Sequence, residues 1–183
     1  MGFHKRKTAL EGVWEIQPDV FGDSRGFFAE LYNQQHFEAL GLGHLRFVQD
    51  NLSRSSQGVI RGLHFQAPPH AQGKLVSVLE GAVLDVAVDI RPDSPTYGEH
   101  IAVELRADQL NMLYVPPGFA HGFQVLSKSC LFSYKCTNFY NKSSEGGLLW
   151  NDPTLDIPWR DIPAVVSEKD QLLPGWERFG SPF

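Results

Sequence analysis

Four side chains able to do chemistry lie close together in one apolar, glycine-punctuated run of the sequence, GVIRGLHFQAPPHAQGKLV: Arg61, His64, His70 and Lys74. Two histidines suggest half of a metal site, but they converge on one ion from a strand face only at i, i+2 spacing. Gln66 occupies that position, and His70 lies beyond two prolines, where we expect a loop. A neutral imidazole also accepts protons near neutral pH, and a fixed cation stabilises a developing oxyanion. We therefore favour acid–base chemistry at His64 and Lys74 over metal binding.

Two further side chains extend this hypothesis. Tyr134, in the strand-like run LFSYKC, is a candidate proton donor on the other side of a substrate, which suits proton abstraction next to a carbonyl. The segment VPPGFAHGF places Pro116, Gly118 and His121 at the spacing Pro-x-Gly-x-x-His, and here the chain resembles the cupin β-barrels. In metal-binding cupins this histidine is a ligand; a hydrogen-bonded core histidine is the alternative. A metal-dependent oxygenase and a non-catalytic sugar-binding cupin therefore remain open.

The elements that carry these residues follow the two-residue period of strands. In AVLDVAVDI, residues 82–90, apolar side chains alternate over eight positions, and similar short runs recur between turn signals such as RPDSPTYG. The pattern predicts a mainly β fold, a sandwich or barrel of antiparallel strands. The resemblance to cupins implies that this fold is an all-β, cupin-type double-stranded β-helix, or jelly-roll barrel, with a few short peripheral helices. One helix is expected at NQQHFEALG, with Asn33 as its N-cap and Gly41 just past its end, and another start at Ser167-x-x-Asp170.

The composition limits the remaining choices. A chain of 183 residues predicts a single domain over 1–183, and a net charge of −5 argues against a nucleic-acid partner. The sequence has no apolar run of membrane-span or signal-peptide length, so we expect a cytoplasmic protein with no membrane partner. Cys130 and Cys136 are about 20 Å apart if they share one strand, which predicts reduced, half-buried thiols.

Ten motifs in one order give a specific resemblance that covers nearly the whole chain: DSRGFFAE, VQDN, RGLHFQ, GKLV, DVAVDIR, SPTYG, PPGFAHGF, YKCT, WNDP and SEKD. The chain resembles the dTDP-4-dehydrorhamnose 3,5-epimerase family. The resemblance implies an isomerase that needs no cofactor and no metal, forms a homodimer and serves dTDP-L-rhamnose biosynthesis. Its substrate would be a dTDP-4-keto-6-deoxyhexose, epimerised at C3 and C5 from dTDP-4-dehydro-6-deoxy-D-glucose to dTDP-4-dehydro-L-rhamnose. An epimerase acting at C3 only or C5 only, in another dTDP-deoxysugar pathway, is the nearest alternative.

The resemblance also implies roles for single residues. His64 is the base that removes the C3 and C5 protons, Asp170 holds its imidazole, Lys74 faces the C4 oxygen, and Tyr134 returns a proton to the opposite face. The remaining positions implied to bind substrate are Arg25, Arg61 and Lys169 at the diphosphate, together with Glu30, Gln49, Asn51, His121, Tyr140 and Glu145. Asp85 is a candidate partner of His121.

One implied pairing conflicts with regular strand geometry. Arg61 and His64 are three residues apart and would point to opposite faces of an unbroken strand. Gly62 lies between them, and a glycine within a strand often marks a bulge or a close approach of another backbone. We therefore predict an irregularity between residues 61 and 64 that turns both side chains toward one substrate.

Overall fold

The structure, a computed structural model, describes residues 2–183. Its strands, in chain order, are β1 (Phe3–Lys7), β2 (Trp14–Pro18), β3 (Val20–Asp23), β4 (Gly26–Ala29), β5 (Gln49–Ser56), β6 (Val59–Gln66), β7 (Lys74–Glu80), β8 (Ala82–Asp89), β9 (His100–Arg106), β10 (Met112–Val115), β11 (Phe119–Val125), β12 (Ser129–Cys136), β13 (Glu145–Gly147) and β14 (Val165–Val166). The helices are α1 (Gln34–Ala39) and α2 (Glu168–Gln171), with 3₁₀ turns at Lys142–Ser144 and Trp176–Arg178.

Two sheets face each other and form the body of the fold. The first has the strand order β1-β2-β10-β7-β12-β5, and the second has the order β13-β6-β11-β8-β9, with β14 added in parallel to β6. The hairpin β3–β4 pairs only with itself. The predicted all-β, cupin-type jelly roll with a few short peripheral helices is therefore confirmed.

The core follows from strand alternation. Every residue of β8 is buried, because Val83 and Ala87 pack between the two sheets while Leu84, Val86 and Val88 pack under the C-terminal segment. A third cluster lies beneath α1, and Phe37 anchors that helix with no exposed surface. The outer face of β8 is thus buried as well, because the side chains on that face, Leu84, Val86 and Val88, are all apolar.

The predicted helix ends are confirmed. Asn33 caps α1 by accepting hydrogen bonds from the Gln35 and His36 amides, and Gly41 follows with a φ of +74°. Ser167 caps α2, since its Oγ accepts a hydrogen bond of 3.1 Å from the Asp170 amide. Cys130 and Cys136 are free as predicted, but both are fully buried and not half-buried. Cys130 packs in the core between the sheets, and the Sγ atom of Cys136 accepts from Asn51 Nδ2 at 3.5 Å.

The predicted irregularity in β6 is confirmed. His64 pairs with His121 and Arg61 pairs with Phe123, so two residues of β6 stand opposite the single Gly122 of β11. A Cβ atom at Gly62 would lie 2.5 Å from the Gly122 Cα, and Gly62 has a φ of +140°. Only glycine fits here, because the two backbones touch. The extra residue brings Arg61 and His64 to the same cavity.

This contact predicts a large difference between two glycine substitutions. Gly62→Ala should lower the free energy of unfolding by about 3–5 kcal/mol, because it adds a backbone clash to an unfavourable φ. Gly26→Ala is the matched control, since Gly26 has a φ of +133° and a Cβ atom added there would have no neighbour within 4 Å. It should cost only about 1–2 kcal/mol. Urea unfolding of both variants measures the difference, and equal losses would contradict the proposed contact.

Candidate active site

A cavity of about 520 Å³ lies between the two sheets, and all four predicted catalytic residues line it. β6 and β11 of the second sheet contribute Arg61, His64 and His121 to one wall. β7 and β12 of the first sheet contribute Lys74 and Tyr134 to the other. Residues after β14 complete it with Lys169 and Asp170. A ligand in this cavity therefore meets an imidazole from one sheet and a phenol from the other.

His64 and Asp170 form a short polar contact in this cavity. The Nε2 atom of His64 lies 2.7 Å from the Oδ1 atom of Asp170. The Gly62 amide donates to the other carboxylate oxygen at 3.4 Å. Burial acts to raise the pKa of Asp170, but the hydrogen bonds around it outweigh burial and hold the pKa below its usual value. The carboxylate is thus ionised at neutral pH and fixes the orientation of the imidazole.

Lys74 and Tyr134 face the same space from the first sheet. Burial lowers the pKa of Lys74, and the negative groups nearby offset this only in part. Burial, together with the neighbouring Cys136, raises the pKa of Tyr134. Tyr134 therefore holds its proton at neutral pH, as a proton donor must. Lys74 lies in a poorly solvated place, where a positive charge acts strongly on a nearby oxyanion.

A second aspartate–histidine pair joins β11, which carries His121, to the neighbouring strand β8, which carries Asp85. His121 Nε2 is 2.9 Å and 3.0 Å from the two carboxylate oxygens of Asp85, and the Asp85 side chain has no exposed surface. This confirms the predicted pairing of the two residues. Burial raises the pKa of Asp85, while His121 and Lys74 act in the opposite direction. Because Nε2 of both His64 and His121 is bonded to an aspartate, those nitrogens are not free to share an ion.

A smaller cavity of about 160 Å³ adjoins the first and shares His64, Lys74 and Tyr134 with it. Its other lining residues include four of the predicted substrate-binding positions: Gln49, Asn51, Tyr140 and Glu145. The Tyr140 hydroxyl donates to Glu145 at 3.2 Å, and Glu145 forms an ion pair of 2.7 Å with Lys169. The ion pair lowers the pKa of Glu145 and raises that of Lys169. These contacts join the two cavities at their rim.

Two predicted binding residues lie away from both cavities. Arg25 projects from the β3–β4 hairpin with 88% of its side chain exposed and pairs with Asp23. Glu30 follows the same hairpin and contacts Asn33 and His36 beside α1. Within one chain neither residue reaches His64. Arg25 lies on a hairpin that pairs only with itself, and Glu30 is held beside α1 by its contacts with Asn33 and His36.

The structure also adds residues that sequence patterns did not single out. Ser53, Phe123 and Phe132 line the larger cavity, as does Ser167, which the sequence indicated only as a helix cap. Phe123 and Phe132 stack with ring centroids 4.1 Å apart and form an apolar wall. Strand alternation could have indicated them, because Phe123 is two residues from His121, and Phe132 is two from Tyr134. Over residues 2–183, no three His, Cys, Asp or Glu side chains converge as a metal site would require.

The buried Asp85–His121 pair predicts a stability effect. Asp85→Ala should lower the free energy of unfolding by about 3–5 kcal/mol, because removing one member of a buried pair leaves the other without its partner. Asp108→Ala is the control: its exposed pairing with Arg106 makes the expected loss much smaller. Urea unfolding at neutral pH compares the two variants. Similar losses would mean that burial contributes nothing to the Asp85 effect.

Known proteins share this sequence and fold. A family model described as dTDP-4-dehydrorhamnose 3,5-epimerase matches residues 7–178. The enzyme of that name from Salmonella typhimurium is 52% identical over 170 residues, covering 92% of this chain and 92% of the relative. The crystal structure of a dTDP-6-deoxy-D-glucose-3,5-epimerase from Legionella pneumophila, in complex with dTDP-4-keto-L-rhamnose, is 44% identical with a TM-score of 0.92, covering 97% of this chain and 95% of that one.

A more distant neighbour has a different specificity in its description. A 3'-monoepimerase from Streptomyces bikiniensis, solved with dTDP-quinovose, is 31% identical with a TM-score of 0.87, covering 92% of this chain and 85% of that one. No helix within residues 2–183 has the length and apolar character needed to cross a membrane. The match over residues 7–178, together with 52% identity along nearly the full length of a relative, confirms the family expected from the sequence motifs: the chain belongs to the dTDP-4-dehydrorhamnose 3,5-epimerase family.

Proposed function

We propose that this chain epimerises dTDP-4-dehydro-6-deoxy-D-glucose at C3 and C5, giving dTDP-4-dehydro-L-rhamnose for dTDP-L-rhamnose synthesis. The observation that carries the proposal is the placement of His64, held by Asp170 at 2.7 Å, opposite Tyr134 across one cavity. Epimerisation removes a proton from one face of a carbon and returns one to the other face. A base on one sheet and an acid on the facing sheet match that requirement.

Each proton transfer uses groups already in position. The C3 and C5 protons are acidic because both carbons adjoin the C4 ketone, and the imidazole of His64 takes the proton while the C–H electron pair enters the enolate. Asp170 stabilises the imidazolium that forms. Lys74 stabilises the negative charge that develops on the C4 oxygen. Tyr134 then donates a proton to the carbon from the opposite wall, which inverts the centre.

The anionic part of the substrate meets a local cationic cluster. Arg61 and Lys169 line the same cavity as His64, and Arg61 Nε donates to Ser55 at 3.1 Å, which fixes the guanidinium near the cavity. Guanidinium groups bind phosphate oxygens as a planar fork. This cluster supports diphosphate binding by a chain whose net charge is −5.

Solvent deuterium exchange tests the reaction. Wild-type protein in D₂O should place deuterium at both C3 and C5 of the 4-keto sugar, read by mass spectrometry and NMR. In His64→Ala the rate of deuterium exchange at both carbons should fall by about 100-fold or more, as expected when a general base is removed. Asp170→Asn should keep the fold and lose most activity, because the amide cannot stabilise the imidazolium. Full exchange in either variant would remove that residue from the mechanism.

The second candidate function is epimerisation at one carbon only. The observation that favours it is the likeness to the Streptomyces bikiniensis monoepimerase, which has the same fold at 31% identity. The same experiment separates the two. Label at one carbon only, with the wild-type protein fully active, excludes the 3,5-epimerase. The higher identities to 3,5-epimerases, 52% and 44%, favour label at both.

We further propose that the chain acts as a homodimer in which the β3–β4 hairpin reaches the partner. The hairpin exposes Phe27 at 66% and Phe28 at 57%, a large apolar surface for a monomer. It also carries Arg25 away from both cavities of its own chain. If Arg25 binds the diphosphate, as the family resemblance implies, the cavity that it serves belongs to a second copy.

Mixing two impaired variants tests this arrangement. Arg25→Ala should raise KM with little change in kcat, whereas Arg106→Ala, an exposed arginine paired with Glu104 and Asp108, should change neither. Subunit exchange between Arg25→Ala and His64→Ala chains should restore about a quarter of the wild-type sites, because each mixed dimer has one intact site. No recovery from a mixture shown to contain mixed dimers would place Arg25 in its own chain's site or in no site.

We also propose a cytoplasmic location. Cys130 and Cys136 are both free and buried, which fits a reducing compartment. Free thiols persist in the cytoplasm because its thiol buffers keep cysteines reduced.

A further inference from the structure

Gln66 occupies the position that a second metal-binding histidine would take. It lies two residues after His64 on β6, and the regular pairing of β13 with β6 at both residues keeps their side chains on the same face. The side chain is only 5% exposed and lines the smaller cavity. A buried amide here needs partners for one acceptor and two donor groups.

All of those partners are backbone groups of two loops. Gln66 Nε2 donates to the His70 carbonyl at 2.6 Å and to the Phe139 carbonyl at 3.2 Å. Its Oε1 accepts from the Asn141 amide at 2.6 Å. The side chain therefore holds the chain on both sides of Tyr140.

Tyr140 itself has two further contacts. Its amide donates to Gln49 Oε1 at 2.9 Å, and its hydroxyl donates to Glu145. The ring stays 55% exposed at the edge of the smaller cavity. A backbone fixed at residues 139, 140 and 141 presents an aromatic face to a ligand at little entropic cost.

We propose that Gln66 is a positioning residue that holds Tyr140 in place to bind the nucleotide part of the dTDP-sugar. The inference rests on the proposed function, because that function supplies the nucleotide. Gln66 acts through the loop and does not enter the proton transfers. Its loss should therefore weaken ligand binding and leave the chemical step intact.

A general structural role is the competing explanation, and the chain offers a matched control. Gln124 is 1% exposed, and its amide bonds both the carbonyl and the amide of Arg160, so it is also a buried glutamine that holds a distant backbone segment. It lines neither cavity. Gln66→Met and Gln124→Met each remove the polar groups of such a side chain at similar volume.

Titration with dTDP and steady-state kinetics provide the test. Gln66→Met should raise the Kd of dTDP and the KM of the sugar nucleotide about tenfold, with kcat within about twofold of wild type. Gln124→Met should lower the thermal midpoint without changing Kd or KM. Tyr140→Ala should weaken binding as well, and adding Gln66→Met to it should have little further effect, because residues that act as one unit are not additive.

The outcomes separate the explanations. A folded Gln66→Met protein with wild-type affinity for dTDP, or fully additive effects with Tyr140→Ala, would overturn the proposal. If Gln66→Met does not fold, Gln66→Glu keeps the side-chain length and the acceptor for Asn141 but loses both donors, and the same criterion applies to its Kd. Absence of deuterium exchange at C3 and C5 in the wild-type protein would refute the proposed function, whereas the dTDP titration measures the effect of Gln66→Met independently of catalysis.

Discussion

The site depends on the contact between two glycine backbones. Gly62 in β6 and Gly122 in β11 lie so close that a Cβ on either would meet the other strand's backbone, at 2.5 Å and 2.8 Å respectively. Because neither has a side chain, β6 accommodates one extra residue without leaving the sheet. The bulge lets Arg61 and His64 share a cavity, and it aims the Gly62 amide at Asp170. Arg61, His64 and Asp170 are thus positioned around one local irregularity.

One aspartate–histidine pair lies on each side of this contact, and the two pairs differ in their surroundings. His64 and His121 face each other across β6 and β11. Asp170 arrives from the short α2 turn, is well hydrogen-bonded and has a lowered pKa, so its charge is available to an imidazolium. Asp85 comes from the fully buried β8, where burial raises its pKa. Both histidines line the larger cavity, but Asp170 lies beside that cavity, whereas Asp85 lies in the packed interior behind it.

Gln66 stands where a metal-binding histidine motif would have its second histidine, and the same residue holds the loops around residues 70 and 140. In this chain the i+2 position after His64 holds Gln66, and its amide joins three backbone groups from two loops. His70 had no assigned role in the sequence beyond an expected loop position. It lies in that loop, where its carbonyl accepts from Gln66 and its ring contacts Ser144 at 2.9 Å. Side-chain hydrogen bonds thus order the rim of the cavity.

Local patterns in the sequence determined the strands, the caps at Asn33 and Ser167, and the residue types for acid–base chemistry, because each depends on near neighbours along the chain. The family resemblance added Asp170 as the expected partner of His64, and by placing Arg61 and His64 at one substrate it led to the predicted irregularity at Gly62. Only the tertiary structure decided that Asp170 meets His64 over 106 positions, that Gln66 holds the backbone around Tyr140, and that Arg25 lies outside its own chain's cavities. Those contacts depend on how distant segments pack, which no local period encodes.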